Sequence, residues 1–132
     1  MDLGVRGKTA LITGGSKGIG LAAAECLAAE GCGVILVSRT QAALDAAAEQ
    51  IRTRFQVNAR THAADLAVQG AAEELARLFP EIDILVNNAG AIPGGSLQQV
   101  DGTTWRQAWQ LKVLGYVDMC RAFYPLLARR VA

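Results

Sequence analysis

The stretch Thr13-Gly14-Gly15-Ser16-Lys17-Gly18-Ile19-Gly20 decides the fold of this 132-residue chain. An apolar run precedes it and an alanine-rich helical pattern follows it, which predicts a strand, a tight turn and a helix start. Glycines leave the backbone N–H groups of such a turn uncovered, and the positive end of the helix dipole adds to their attraction for an anion. The spacing G-x-x-x-G-x-G differs from the common G-x-G-x-x-G, and it predicts a pyrophosphate site. A glycine turn that serves packing alone is the alternative.

Composition excludes several classes of protein. The chain is 52% hydrophobic and carries a net charge of +1, so it is neither disordered nor basic enough to attract nucleic acid or anionic lipid. No apolar run approaches the roughly 20 residues of a membrane span, and no signal peptide is evident, so we expect a soluble cytoplasmic protein. Cys26, Cys32 and Cys120 lack metal-ligand spacing, as does the single histidine, His62. We expect no metal site and three buried cysteines.

Strand and helix patterns alternate along the whole chain. Strands are predicted at 8–12, 33–38, 57–63 and 82–86, and helices follow each of them. The first helix is predicted to end at Gly31, and the second to run from a cap at Thr40 to about residue 55. The third is predicted to run from about residue 68 to 79, and the last to begin at an N-cap at Thr103 or Thr104. This alternation predicts a single α/β domain, residues 1–132, whose doubly wound parallel sheet has helices on both faces.

The end of the second predicted strand indicates the choice of cofactor. Dinucleotide sites for NAD usually place an acid there, about twenty residues after the glycines, to accept the ribose hydroxyls. This chain has Ser38 followed by Arg39. The missing carboxylate removes repulsion against a 2′-phosphate, and Arg39 with Lys17 can bind that phosphate, so the pattern favours NADP over NAD. A solvated loop cation at Arg39 is the alternative.

Three motifs in order, Thr13-Gly14-x-x-x-Gly18-x-Gly20, Asp65-Leu66 and Asn87-Asn88-Ala89-Gly90, resemble the short-chain dehydrogenase/reductase family over essentially the whole chain. The resemblance implies a Rossmann-type sheet with strand order 3-2-1-4, incomplete relative to the full family domain. It implies hydride transfer between NADP and a small carbonyl or alcohol substrate. Asn87 would tie the central strands. The residues that the resemblance places around the cofactor are Gly14, Ser16, Lys17, Gly18, Ile19 and Gly20 at the phosphates, Asp65 and Leu66 at adenine, and Asn88, Ala89 and Gly90 along the ribose. A helix N-cap is the alternative role of Asp65.

The sequence departs from the family in its catalytic residues. The resemblance implies a catalytic Ser and a Tyr-x-x-x-Lys after the next strand, but neither Tyr116 nor Tyr124 is followed by a Lys four residues later. We therefore expect the 132-residue chain to be the cofactor-binding portion and inactive alone; a nucleotide-binding or partner-docking module without catalysis is the alternative. Lys112 occupies the position at which the family carries an Asn of its proton relay. It is a candidate catalytic residue, or else a surface or interface cation.

The last helix carries more apolar residues than one sheet face can cover, so we expect a homo-oligomer that forms through it. Trp105 and Trp109 lie four residues apart and predict a core stripe, and the two tyrosines are predicted to pack. A fourth strand without an outer neighbour predicts association of the isolated chain. The substrate cannot be identified from these residues.

Overall fold

Four strands and five helices alternate in the computed structural model, which describes residues 2–131. The strands are β1 Thr9–Thr13, β2 Gly33–Ser38, β3 Ala59–Ala63 and β4 Ile84–Val86; the helices are α1 Gly18–Ala29, α2 Gln41–Phe55, α3 Ala71–Leu78, α4 Gly102–Trp109 and α5 Gly115–Arg130. A π-helical turn, Gln110–Leu114, joins α4 to α5. Such turns in otherwise α-helical segments are frequent at functional sites.

The strands form one parallel sheet in the order β3-β2-β1-β4, as predicted. The register places Thr13 opposite Val37 and Ile12 opposite Val86. The carboxyl ends of the strands therefore lie along one edge of the sheet. Ligands of open α/β sheets bind at this edge, where the chain order reverses between β1 and β4.

Alternate residues of the central strands pack into two cores on opposite faces of the sheet. Ile12 and Leu36 belong to one core together with Leu44 of α2. Leu11 and Ile35 belong to the other together with Phe123 of α5. All six side chains are fully buried. Burial on both faces explains why β2 is a continuous apolar run without alternation.

Several boundaries differ from the sequence prediction. β3 and β4 each begin two residues later than predicted, and α3 begins at Ala71, after Gly70 adopts a φ of +89° that ends the preceding turn. Thr40 is the N-cap residue of α2, but its side chain makes no capping hydrogen bond. The N-cap of α4 is Asp101 rather than a threonine, because its carboxylate accepts a 2.8 Å hydrogen bond from the Thr104 N–H. This bond also lowers the pKa of Asp101.

The prediction of a buried tryptophan stripe was wrong. Trp105 and Trp109 are 47% and 60% exposed, and no residue of α4 is buried. In α5 the buried side chains, Met119 and Phe123, follow a spacing of four residues. Tyr124, one position further round the helix, is therefore 72% exposed rather than packed.

The prediction of three buried cysteines was correct only for Cys32. Cys26 and Cys120 are exposed. Each lies on a helix one or two positions from a residue that faces the sheet, so its side chain lies outside the two cores.

Candidate functional site

The turn between β1 and α1 leaves backbone donors free. Gly14 and Gly18 have φ values of +65° and +58°, which other residues rarely adopt. Lys17 is the N-cap of α1 in extended conformation and makes no side-chain capping hydrogen bond. A Cβ added to Gly18 would meet no atom within 4 Å, so the space above the helix start is open. Uncapped N–H groups beside open space form an anion site.

Thr13 connects this turn to the end of β4. Its buried hydroxyl accepts hydrogen bonds from the backbone N–H groups of Asn88 and Ala89, at 2.9 and 3.0 Å, and donates to the Val86 carbonyl at 3.4 Å. In return, the Asn88 side-chain amide donates to the Gly14 carbonyl at 3.2 Å. Two segments that lie more than seventy residues apart in sequence therefore form one continuous wall.

Gly20 acts by its small size. A Cβ at this position would lie 2.1 Å from the Gly14 carbonyl oxygen and 2.5 Å from the Asn88 amide nitrogen. Helix α1 can pack this closely against the turn only because the position has no side chain. Gly20 is buried behind the wall and does not line the cavity, which differs from its predicted place at the phosphates.

A cavity of about 440 Å³ lies at the carboxyl ends of the strands. Except for Gly20, all the predicted site residues line it: Gly14, Ser16, Lys17, Gly18, Ile19, Ser38, Arg39, Asp65, Leu66, Asn88, Ala89, Gly90 and Lys112. Sequence reasoning missed Val37, Thr40, Ala64, Ala91 and Leu111. Each of these directly adjoins a predicted residue, so adjacency to the predicted residues was the available signal, at a strand end for the first four and beside Lys112 for Leu111.

A second cavity, of about 610 Å³, continues from the first. The two share Arg39, Asp65, Ala91 and Leu111. Ile92 and Pro93 of the following loop and Ala108 of α4 add apolar surface. The lining of the combined space is both polar and apolar.

The polar groups around β2 and β3 are only partly satisfied. Ser38 Oγ is buried and has no hydrogen-bond partner within residues 2–131. Arg39 is exposed, and no carboxylate in that range lies within 4.0 Å of its guanidinium. Asp65 accepts a 3.0 Å hydrogen bond from the Ala67 N–H through Oδ1. It does not cap α3, which begins six residues later, so that alternative was wrong.

Lys112 lies in the π-helical turn and reaches the cavity beside the end of β4. Its aliphatic stem crosses Gly90, where an added Cβ would lie 2.9 Å from Lys112 Cδ. Its Nζ lies 5.5 Å from the centroid of the Tyr116 ring, within the range of a cation–π contact. A bulkier residue at position 90 would displace this stem.

Asn87 lies beside the cavity rather than in its lining. Its side-chain amide donates to Cys120 Sγ at 3.4 Å, and its Oδ1 is buried without a partner in the described part of the chain. Within residues 2–131, no three His, Cys, Asp or Glu side chains are grouped to hold a metal ion. His62 instead makes an edge contact with the Phe79 ring, at 5.9 Å between centroids. In the same range, no helix combines the length and apolar character needed to cross a membrane.

Comparison with known proteins gives a consistent result. Galactitol 2-dehydrogenase (L-tagatose-forming) of Cereibacter sphaeroides is 33% identical over 96% of this chain and 50% of its own length. The crystal structure of L-sorbose reductase from Gluconobacter frateurii, complexed with NADPH and L-sorbose, superposes with a TM-score of 0.88 at 36% identity, covering 98% of this chain and 51% of that one. A 3-oxoacyl (acyl-carrier-protein) reductase from Agrobacterium tumefaciens with NADP bound gives 0.87 at 33% identity, covering 96% and 50%.

The chain thus spans about half the length of the curated relatives it matches. A family model described as short chain dehydrogenase matches residues 8–132, which is nearly the whole chain. The chain belongs to the short-chain dehydrogenase family of oxidoreductases.

Proposed function

We propose that this chain is the NADP-binding portion of a short-chain reductase, in which hydride passes between the nicotinamide and the carbonyl or alcohol carbon of a small molecule. The observation that carries the proposal is the continuous cavity at the strand ends, with a bare glycine turn in its centre and Ser38 and Arg39 at one side. The residues present fit a phosphorylated dinucleotide, as the following features indicate.

The pyrophosphate fits the turn between β1 and α1. The uncapped N–H groups of the first turn of α1, together with the helix dipole, favour the negative charge. Gly14 and Gly18 allow the backbone to approach the phosphates, and Lys17 supplies a cation. Gly20 keeps α1 against the turn, so these donors are held before a ligand binds.

The 2′-phosphate fits the end of β2. Ser38 Oγ is a buried hydroxyl with no partner in the described residues, and Arg39 has no competing carboxylate there. Both can donate to a phosphate. A hydrogen bond to a charged group contributes about 1.5–3 kcal/mol, so Arg39 alone accounts for a preference of about ten- to a hundredfold for NADP over NAD. The solved relatives with bound NADPH or NADP support the same cofactor.

The remaining wall fits the adenosine and the ribose. Asp65 Oδ1 is occupied by the Ala67 N–H, which leaves the second carboxylate oxygen to accept from the adenine amine. Leu66 and Leu111 supply apolar surface for the ring, and the segment from Asn88 to Gly90 lies along the sugar.

The nicotinamide supplies hydride chemistry when it is bound, and this chain's residues bind and orient it. Reduction of a carbonyl also needs a proton donor. The Tyr-x-x-x-Lys motif that would supply it does not occur in residues 1–132. We therefore expect no turnover by these residues alone. The exposed side chains of Val117 and Tyr124 on α5 support a homo-oligomer that forms through this helix. We also propose a cytoplasmic location.

A nucleotide-binding module without catalysis is the second candidate, because all the residues that we assign to the cofactor lie within these 132 residues and none of the assignments requires turnover. Carbonyl reduction assays with NADPH on the protein that carries this chain separate the two candidates. Turnover with any ketone excludes the module.

The cofactor assignment is tested by the double variant Ser38→Asp, Arg39→Ile. We expect it to move the preference from NADP toward NAD, because the new carboxylate repels the 2′-phosphate and accepts from the ribose hydroxyls. Titration of both cofactors by fluorescence gives the ratio of the two dissociation constants. Arg106→Ile, which removes an exposed arginine outside both cavities, is the matched control. An unchanged ratio in the double variant would overturn the assignment.

A further inference from the structure

Two cations of the cavity lie at different strand ends. Arg39 follows β2, and Lys112 lies beside Gly90, which follows β4. In the order β3-β2-β1-β4, the strand β1 and its glycine turn lie between them. Adjacent strands are spaced by about 4.8 Å, so the ends of β2 and β4 are about 10 Å apart. The two cations therefore face different parts of any ligand that is centred on the turn.

The structure holds Lys112 in place without neutralising it. The π-helical turn directs the side chain to the cavity, Gly90 leaves room for its stem, and the Tyr116 ring lies near its ammonium. No carboxylate within residues 2–131 lies within 4.0 Å of Nζ. A positioned ammonium with open donors at a cavity wall suits an oxygen-rich ligand.

We propose that Lys112 binds the nicotinamide nucleotide half of the dinucleotide. This inference rests on the proposed function. With the pyrophosphate at the β1 turn and the 2′-phosphate at Arg39, the adenosine half extends toward β2, so the other half extends toward β4 and Lys112. The ammonium donates there to phosphate or ribose oxygens. Lys112 is thus a cofactor-binding residue that does not discriminate NADP from NAD, since the two cofactors are identical in this half.

The test is the substitution Lys112→Met in the protein that carries this chain, with dissociation constants measured by titration. Methionine keeps an apolar stem over Gly90 and removes only the ammonium. We expect affinity for NADP and for NAD to fall by the same factor, about tenfold, the low end for a charged hydrogen bond. Affinity for 2′,5′-ADP, which lacks the nicotinamide half, stays unchanged. In Arg39→Ala we expect affinity for NADP and for 2′,5′-ADP to fall while affinity for NAD stays unchanged. Lys112→Arg, which keeps a cation, should retain most of the affinity that Lys112→Met loses.

Lys8→Met is the matched control, because Lys8 is an exposed lysine just before β1, at the opposite edge of the sheet. Saturation-transfer NMR on Lys112→Met then shows which group the ammonium contacts. If it contacts the phosphate, binding is weakened for nicotinamide mononucleotide but not for nicotinamide riboside; if it contacts the ribose, binding is weakened for both. Circular dichroism checks folding, and Lys112→Gln replaces the methionine variant if that variant is unfolded.

Unchanged NADP affinity in Lys112→Met would overturn the inference while leaving the proposed function intact. A loss that extends to 2′,5′-ADP, or one that changes the NADP to NAD ratio, would also overturn it, since the residue would then act on the adenosine half or through the fold. Failure of the unmodified protein to bind either dinucleotide would overturn the proposed function together with this inference.

Discussion

The hydroxyl of Thr13 is the contact whose removal should separate the two halves of the cavity wall. Substitution Thr13→Val keeps the shape and branching of the side chain but loses the acceptor for the Asn88 and Ala89 N–H groups. Both hydrogen bonds are partly buried, so water does not fully replace the lost partner. Leaving a buried donor unsatisfied costs about 1–3 kcal/mol.

For two such donors we expect the free energy of unfolding to fall by about 2–6 kcal/mol, a large share of the roughly 5–15 kcal/mol that stabilises an ordinary domain. With a denaturant dependence of about 2 kcal/mol per molar urea, the midpoint of unfolding moves down by about 1–3 M. Affinity for NADP falls as well, because the Asn88 segment is no longer held against the turn. Urea titration followed by circular dichroism and cofactor titration measure the two effects.

Thr13→Ser is the matched control, because it keeps the hydroxyl and loses only a buried methyl group, at a cost of about 1 kcal/mol. The reasoning requires the valine variant to be the less stable of the two and to bind NADP more weakly. A valine variant within 0.5 kcal/mol of the unmodified protein, or one less harmful than serine, would refute the assignment of Thr13 as the acceptor that joins β1 to β4.

Three further predictions follow from other parts of the structure. Gly20→Ala should destabilise the protein by about 1–3 kcal/mol in urea unfolding because its Cβ overlaps the Gly14 backbone, whereas Gly94→Ala, with nothing within 4 Å, should not; equal effects would contradict the packing role. Burial raises the pKa of Asp83, but hydrogen bonds from the Thr9 N–H and Arg130 outweigh burial, so the pKa is lowered overall. The stabilisation that ionised Asp83 gives the fold is therefore complete above about pH 5, and it is lost as the pH falls below 3.8, the ordinary pKa of the group. Asp83→Asn should therefore flatten the acid side of the stability curve, and an unchanged slope would contradict this. A thiol reagent should label Cys26 and Cys120 in the folded protein and Cys32 only in urea, since burial shields that thiol and raises its pKa; peptide mapping gives the order of labelling.

Much of the fold could be predicted from the sequence, because β1, β2 and β4 are short, mainly apolar runs and helical patterns separate the strands. The interior of β2, residues 34–37, is entirely apolar, and the glycine turn marks the crossing from β1 to α1. The failures concern exposure. The spacing of Trp105 and Trp109 predicts a shared face but not the direction of that face, which depends on where α4 lies relative to the sheet.

The candidate site could be predicted in its residues but not in its internal contacts. Motifs at strand ends located most of the cavity lining, since parallel strands bring their carboxyl ends to one edge. The packing role of Gly20 could not be predicted, because it depends on the approach of the Asn88 side chain from a segment far along the chain. Likewise, no local pattern indicates that Lys112 lies in a π-helical turn over Gly90.

Selection of the cofactor and chemistry on the substrate are separable in this architecture. Every group that we assign to the dinucleotide follows one of the four strands or lies in the π-helical turn, and all of them occur in a chain about half as long as its relatives. Binding constants for NADP, NAD and 2′,5′-ADP therefore measure the roles of Arg39 and Lys112 without any turnover. If these assignments hold, the ratio of the NADP and NAD dissociation constants responds to Arg39 alone, whereas the dissociation constant of NAD responds to Lys112 alone. Affinity and specificity can thus be changed independently at the two ends of one cavity.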